Sequence, residues 1–245
     1  MQTRTLSAQA SKAPLQFLRE MGAVHDTSAI RLHLGCGAVH LDGYVNIDFP
    51  LDHHSVLTHA VADVFADISE LAFPATSVDE IRLHHVFEHF PRAESLALIA
   101  SWWSWLKPGG LLRVEVPDFD RTALVVLNPL SSPKRRQVAL RHIFGSQEAS
   151  WAHHQVGWSA GRLRSLLTTF GYDIAWARRT SWKGTHNVDV LARKSKAEMT
   201  ARSFEAPARA WLHGFMVDDS ASEQRLLEVW MQQFMKQFSK TWAEA

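Results

Sequence analysis

The apolar run Ile30 to Leu34 ends abruptly on Gly35, Cys36 and Gly37, and this junction constrains the fold more than any other feature of the chain. A short apolar run stopped by glycines reads as a buried strand entering a tight turn. Such a turn lets the backbone approach a ligand closely, and the start of the next element offers free amide donors. Two more extended runs follow, Gly43 to Asp48 and Ala60 to Phe65, the first ending on an acid and the second leading into Ala66, Asp67 and Ile68. Asp79 to Val86 reads as a further strand. Pro91, at a first-turn position, then opens a helix with Leu96, Ile99, Trp102, Trp103 and Leu106 at helical spacing. That helix stops at Lys107, Pro108, Gly109 and Gly110. The alternating strand Leu111 to Val116 follows and ends in Pro117 and Asp118. Phe119 to about Ser159 reads as a long irregular stretch, a lid or substrate loop. A helix (Ala160 to Phe170) and two strands (Tyr172 to Arg178, Thr185 to Arg193) complete an alternation that implies an α/β fold. Its sheet is mostly parallel, with helices on both faces.

Outside this unit, residues 1–29 hold a short amphipathic segment near Ala13 to Met21. Residues 195–245 read as a C-terminal extension of two helices, broken at Val217 to Ser220, where Ser220 and Glu223 match a capping box. In its second helix Trp230, Phe234, Phe238 and Trp242 recur every four residues, a stripe that reads as core packing; the other reading is a homodimer through these helices. The expected division is therefore 1–29, 30–194 with an insertion at 118–159, and 195–245. With 26 basic against 25 acidic residues, the formal charge of +1 argues against nucleic acid or an anionic membrane held by bulk attraction, and for a small-molecule partner. The single cysteine, Cys36, excludes an internal disulfide. Met1 to Lys12 lacks the apolar core of a secretory signal, and no apolar run is long enough to span a membrane, so a cytoplasmic protein is expected.

Taken alone the glycine turn is a weak signal, because the third glycine of a dinucleotide-binding turn is absent. Asp48 and Asp67 sharpen it. An acid ending the second strand is placed to accept both hydroxyls of a ribose, and one after the third strand to accept from an adenine amino group, with the Ile68 amide donating to the ring. Either acid by itself reads equally well as a helix cap; with the glycine turn they fit an adenosyl ligand.

Five motifs in order now resemble a class I S-adenosylmethionine-dependent methyltransferase of the type 11 group, in the branch associated with polysaccharide biosynthesis. They are Leu34 to Gly37, Leu41 to Asp48, Ala66 to Asp79 with Phe73, Pro74 and Ser77 to Asp79, His85 to His89, and Leu106 to Gly110. Looser similarity runs through Ile143, Phe144, Gly145, His154 to Trp158 and His186 to Lys194. The resemblance implies a Rossmann-like fold with a seven-stranded sheet and S-adenosyl-L-methionine as cofactor. Gly35, Cys36 and Gly37 would approach its methionyl part, Asp48 its ribose, and Asp67 with Ile68 its adenine. His84 to Phe87 would flank the methyl group. His33 stands where many methyltransferases carry an acid, and the short interval from Gly37 to Asp48 clips the first helix to about a turn.

Methyl transfer from a sulfonium asks mainly for positioning, with a base only where the acceptor loses a proton. For a sugar hydroxyl the candidates are His85, Glu88 and His89, then Asp118 and His153 or His154. Trp151 and Trp158 could stack on a sugar or merely pin the loop. Lys134, Arg135, Arg136 and Arg141 offer docking for a nucleotide-linked or phosphorylated sugar. The 14 histidines, several paired as in His53 and His54, invite a metal reading built on His85, Glu88, His89 and the His153–His154 pair. Pro91 starts the helix too late to align those rings on one face, so no metal is expected. The expected function is methylation of a small oxygen acceptor, a sugar or glycan precursor; a non-catalytic scaffold retaining the fold is the alternative.

Overall fold

The computed structural model of the chain describes residues 4–5, 14–20, 22–24, 29–50, 53, 59, 61–196 and 198–242. Ala13, Met21, His54, Ala60 and most of Met1 to Lys12, which entered the reading above, lie outside them. Eight strands form one sheet: β1 (Arg4–Thr5), β2 (Arg31–Leu34), β3 (Val45–Asp48), β4 (Val64–Phe65), β5 (Val78–His84), β6 (Leu106–Pro117), β7 (Tyr172–Trp182) and β8 (Thr185–Lys194). Their order is β1-β4-β3-β2-β5-β6-β8-β7, parallel throughout except for β8, which runs antiparallel to both its neighbours. Strands β2 to β8 are the expected seven-stranded sheet. The unanticipated β1 adds two residues beside β4 at its edge.

The register explains why these short runs are strands. Leu32 faces Val45 and Ile81, Leu34 faces Ile47 and Leu83, and Ile81 faces Leu112, which faces Ala192. All are buried on one side of the sheet; each large aliphatic among them contributes about 1.5–3 kcal/mol by leaving water. The intervening positions point to the other side and are polar: His33 pairs with Asn46 and Arg82, and His84 with Glu115, which pairs with Asp189. That polar face carries the site.

Helix α1 (Pro14–Glu20) matches the expected N-terminal segment, and α2 (Arg92–Trp105) begins one residue after Pro91, which is its N-cap. Helix α2 is buried almost all round, between the sheet and the tail. The region from Phe119 to Ser159, expected to be irregular, instead forms a helical hairpin, α3 (Phe119–Leu127) and α4 (Pro133–Phe144), before α5 (Ala160–Thr169). Both helices are locally specified. The Asp118 carboxylate accepts from Arg121 N, and the Ser132 hydroxyl accepts from Arg135 N with Pro133 opening α4. Between Gly37 and Asp48 the first helix is reduced to a turn closed by Val39 N donating to Cys36 O.

The tail contains α6 (Glu205–His213) and α7 (Ala221–Thr241). Ser220 caps α7, but the Glu223 carboxylate accepts from Val217 N rather than closing the box on Ser220. Phe234 and Phe238 are buried and stack at 5.3 Å, and Trp242 lies 4.8 Å from Phe238. Trp105 Nε1 donates to Thr241 O at 2.8 Å, and the Ser101 and Thr241 hydroxyls meet at 2.7 Å. The aromatic stripe therefore packs inward, onto α2 and Phe204. Among the described residues no helix is long and apolar enough to cross a membrane.

Candidate active site

Strand order reverses at β2: β3 and β4 lie on one side, β5 and β6 on the other. A crevice at the carboxyl ends of the strands is expected there. A cavity of about 610 Å³ occupies it, lined by His33, Gly35, Cys36, Gly37, Asp48, Asp67, Ile68, His84, His85 and His89. All eight sequence-derived cofactor positions are thus brought to one wall system. Glu88, Asp118 and His154 do not line it. Phe49, Arg82 and Glu94 do, and sequence reasoning missed them. Arg82 and His84 share a face of β5, and Glu94 sits in the first turn of α2, so period and cap position were the available signals.

The glycine turn is shaped by its surroundings. Gly35 has φ 68°, and a Cβ on it would lie 2.3 Å from Val86 Cγ2; Gly37 has φ 54°, with open space where a Cβ would project. Asp48 reaches back to this turn: one carboxylate oxygen accepts from Gly37 N, the other from Phe49 N at 2.7 Å. Burial and then the Asp48 charge push the Cys36 thiol up to about 12, so it is an inert wall. Asp67, more exposed, caps the 3₁₀ turn Ile68–Glu70, accepting from Ser69 N at 2.8 Å and from the Ser69 hydroxyl at 2.7 Å. Burial, followed by the Asp67 charge, raises the pKa of Glu94. His33 is 3% exposed. Its Nδ1 donates to Asn46 Oδ1 at 3.0 Å, and burial lowers its pKa. It is a neutral imidazole presenting Nε2 as an acceptor.

Across the cavity, His85 has φ 56°, a strained conformation for a residue with a Cβ. Its amide is pinned to Glu115 O at 2.9 Å. His85 Nδ1 lies 3.2 Å from Oε1 of Glu88, whose side chain is 1% exposed. Burial acts to lower the His85 pKa, but the hydrogen bond and charge of Glu88 outweigh it and leave it raised. Burial opposes ionisation of Glu88, and the His85 contact still carries its pKa below the usual carboxylate value. The two form a buried charge-assisted pair, with His85 29% exposed toward the cavity. His84 at 3.2 Å, with Thr180 and Asn187, similarly outweighs burial and holds Glu115 down to about 2.

The insertion closes around this pair. His154 Nε2 is 3.8 Å from Glu88 Oε1, and its Nδ1 donates to His142 O at 3.1 Å. His89 Nδ1 donates to His153 O at 3.2 Å. Donor atoms of Glu88, His89 and His154 lie within 4.8 Å of one another, as do those of His84, His85 and Glu115. Asp118 is fully buried at the α3 cap, 3.4 Å from Arg179 Nε. Trp158 is core, stacked on Phe87 at 5.1 Å, whereas Trp151 lines the cavity and donates to His53 O. Within the basic cluster, Arg136 donates to Asn128 O and Pro129 O, tying the hairpin turn; Lys134, Arg135 and Arg141 are exposed.

Residues 32–114, about a third of the chain, match the family model Methyltransf_11, described as a methyltransferase domain. The matched segment runs from β2 into β6 and carries the glycine turn, both acids and the His85–Glu88 pair. No curated protein matches the chain. Among solved structures, the chain is similar to a SAM-dependent methyltransferase from Methanosarcina mazei, with 17% identity, TM-score 0.47 and coverage of 72% of this chain and 97% of that one. It is also similar to the 1,6-didemethyltoxoflavin-N1-methyltransferase of Burkholderia thailandensis, solved with bound 1,6-didemethyltoxoflavin and S-adenosylhomocysteine (16% identity, TM-score 0.46, 77% and 78% covered). A third is the magnesium protoporphyrin IX methyltransferase of Synechocystis with bound S-adenosylhomocysteine (17%, 0.43, 77% and 83%).

Proposed function

We propose that the protein is an S-adenosylmethionine-dependent methyltransferase of class I that methylates a hydroxyl of a small acceptor, a sugar or glycan precursor. One observation carries the reading: the glycine turn, Asp48, Asp67, Ile68 and the exposed edge of His85 converge on one 610 Å³ cavity at the strand-order reversal, inside the methyltransferase-domain match. That volume suits a ligand of nucleoside size with room beside it. The open space beside Gly37 and the acceptor set Asp48, Asp67 and His33 Nε2 fit an adenosyl group bearing an ammonium. His33 substitutes a neutral acceptor for the acid many methyltransferases have there.

When bound, S-adenosylmethionine supplies an electrophilic methyl group on a sulfonium leaving group, which needs no acid catalyst. His85 is the general base. With Nδ1–H directed to Glu88, its Nε2 is free to take the acceptor's hydroxyl proton, and the buried carboxylate stabilises the resulting imidazolium. Glu88 is a positioning residue, since it does not line the cavity. His154 braces it from the insertion side, and His89 ties the insertion down through His153 O; Asp118 acts on α3 rather than on substrate. Trp151 supports the sugar reading, as a flat apolar wall on the acceptor side. No step runs through a metal, and stoichiometric zinc or iron in protein purified without added metal would overturn that part.

Calorimetric titration of S-adenosylmethionine and S-adenosylhomocysteine into wild type and Asp48→Ala tests the core of the reading. Micromolar binding weakened by the substitution supports it. Absence of binding by wild type would replace it with the scaffold alternative. Methyl transfer to candidate sugar acceptors then separates a working enzyme from a protein that only binds the cofactor.

A further inference from the structure

The α3–α4 hairpin is unlike the rest of the molecule's surface. Of the exposed large apolar side chains among the described residues, half lie within its 26 residues: Phe119, Leu124, Leu127, Leu130, Leu140 and Phe144. Leu124, Leu127 and Leu130 follow at threes and are 66%, 76% and 92% exposed. The same stretch holds five basic residues against one acid, a local charge of +4 in a chain whose total is +1. The remainder of the chain is therefore net acidic, and the positive charge is concentrated beside the leucines.

We propose that this hairpin is a docking element for an anionic bilayer surface, with Leu127 and Leu130 entering the headgroup boundary and Lys134, Arg135 and Arg141 contacting lipid phosphates. Leu127 ends α3 and Leu130 lies in the turn linking the helices; they are the two most exposed of these side chains, and apolar groups standing this far into solvent beside basic residues insert readily among lipid tails. Basic flanks match a negative leaflet. Pairing with a second copy through the same face would set two +4 surfaces against each other. The whole-chain balance excludes only bulk attraction, not a local patch.

The hairpin's root connects docking to the cavity. At the far end of α4, His142 Nε2 donates to His186 O at 3.0 Å, and its ring centroid is 5.8 Å from that of His85. Twelve helical residues span about 18 Å and the step from His142 to His85 adds 5.8 Å, so a docked tip holds the acceptor side of the cavity within roughly 25 Å of the membrane. If the methyltransferase reading is right, and this consequence rests on it, the acceptor is carried on a lipid or met at the lipid surface.

The test is flotation of the full chain with vesicles of phosphatidylcholine alone and of phosphatidylcholine mixed with phosphatidylglycerol, at low and high salt. Binding to the anionic vesicles that high salt reverses is expected. The double substitution Leu127→Gln with Leu130→Gln should weaken it about tenfold or more, since it removes apolar insertion, and Lys134→Gln with Arg135→Gln about fivefold per charge. Both pairs are exposed, so an unchanged melting temperature and unchanged S-adenosylmethionine affinity should accompany the loss. No flotation with anionic vesicles, equal flotation with phosphatidylcholine alone, or binding indifferent to the leucine substitutions would overturn the proposal. So would a concentration-dependent dimer in sedimentation that the leucine substitutions disperse. Because cofactor affinity is read separately, failure of docking and failure of the methyltransferase reading are distinguishable.

Discussion

The two walls of the cavity are held by different kinds of contact. On the glycine-turn wall, polar groups are fixed by their own neighbourhood: Asp48 by the amides of Gly37 and Phe49, and Asp67 by Ser69. On the His85 wall, the fixing groups come from far along the chain. Gln155 N donates to Glu88 O, His89 reaches the carbonyl of His153, and His142 reaches that of His186. The first wall is complete once β2, β3 and β4 pair; the second is braced only when the insertion has docked. Substitutions on the first should therefore act on cofactor affinity, and those on the second on turnover.

The largest effect should come from His85→Ala. Removing the proposed base should lower kcat by about 10²–10⁴-fold, the usual contribution of general-base catalysis. Calorimetric affinity for S-adenosylmethionine should be nearly unchanged. A loss of affinity as large as the loss of kcat would erase the division between the walls. Next comes Asp48→Ala, which should weaken cofactor binding by about ten- to a hundredfold, as for a lost hydrogen bond to a charged group. Since Gly37 and Phe49 amides also lose their acceptor, a thermal melt must accompany the titration, and Asp48→Asn provides the milder variant. Unaltered affinity in both would leave Asp48 a turn-closing residue only.

Glu88→Gln sharpens the second wall through pH. In wild type the active His85 is neutral, so kcat/KM should rise as pH passes through a His85 pKa lying above the ordinary 6.5. Replacing the carboxylate removes the cause of that elevation, leaves the opposing effect of burial, and should move the acid limb to lower pH while the plateau falls. Glu115, His84 and His142 also face His85 and remain in place. A limb that stays put while activity drops would reduce Glu88 to a packing role. The pair also bears on stability. The Glu88 contribution, from a depressed pKa, is present above its unfolded value and lost as pH falls through the folded one. That of His85, from a raised pKa, is full below 6.5 and lost as pH rises through its folded value.

The same contrast explains what could be read from the chain. The succession of strands β2 to β8 along the chain, the glycine turn and the cavity positions of Asp48, Asp67 and Ile68 were legible because each is announced by residues within a few positions. His33 was legible as a departure, but its role was not, because the tautomer is set by Asn46 on the neighbouring strand. The hairpin reads as irregular although Asp118 and the Ser132–Pro133 pair are good helix-start signals; its large apolar side chains are mostly exposed, and only Thr122, Val125 and Ala139 are buried along its two helices, so no core-facing stripe marks the period. The contacts of Glu88 with His154, and of His142 with His186, span 44 residues or more and leave no local trace. Nor could sequence separate Trp151, on the cavity wall, from Trp158 in the core, seven positions on.

The smallest effect, and the finest test of the first wall, is at Asp67. Its carboxylate both caps the 3₁₀ turn and faces the cavity. Asp67→Ala confounds the two, since a lost cap alone costs about 0.5–2 kcal/mol. Asp67→Asn separates them. The asparagine oxygen can still accept from Ser69, so the melting temperature should hold. Its amide then turns a donor toward the adenine amino group, itself a donor, and the mismatch should weaken S-adenosylmethionine about three- to tenfold, the value of one ordinary hydrogen bond. Unchanged affinity with an unchanged melt would make Asp67 a cap and nothing more. Adenine recognition would then rest on the Ile68 amide, and the glycine-turn wall would recognise its ligand through Asp48 and the turn alone.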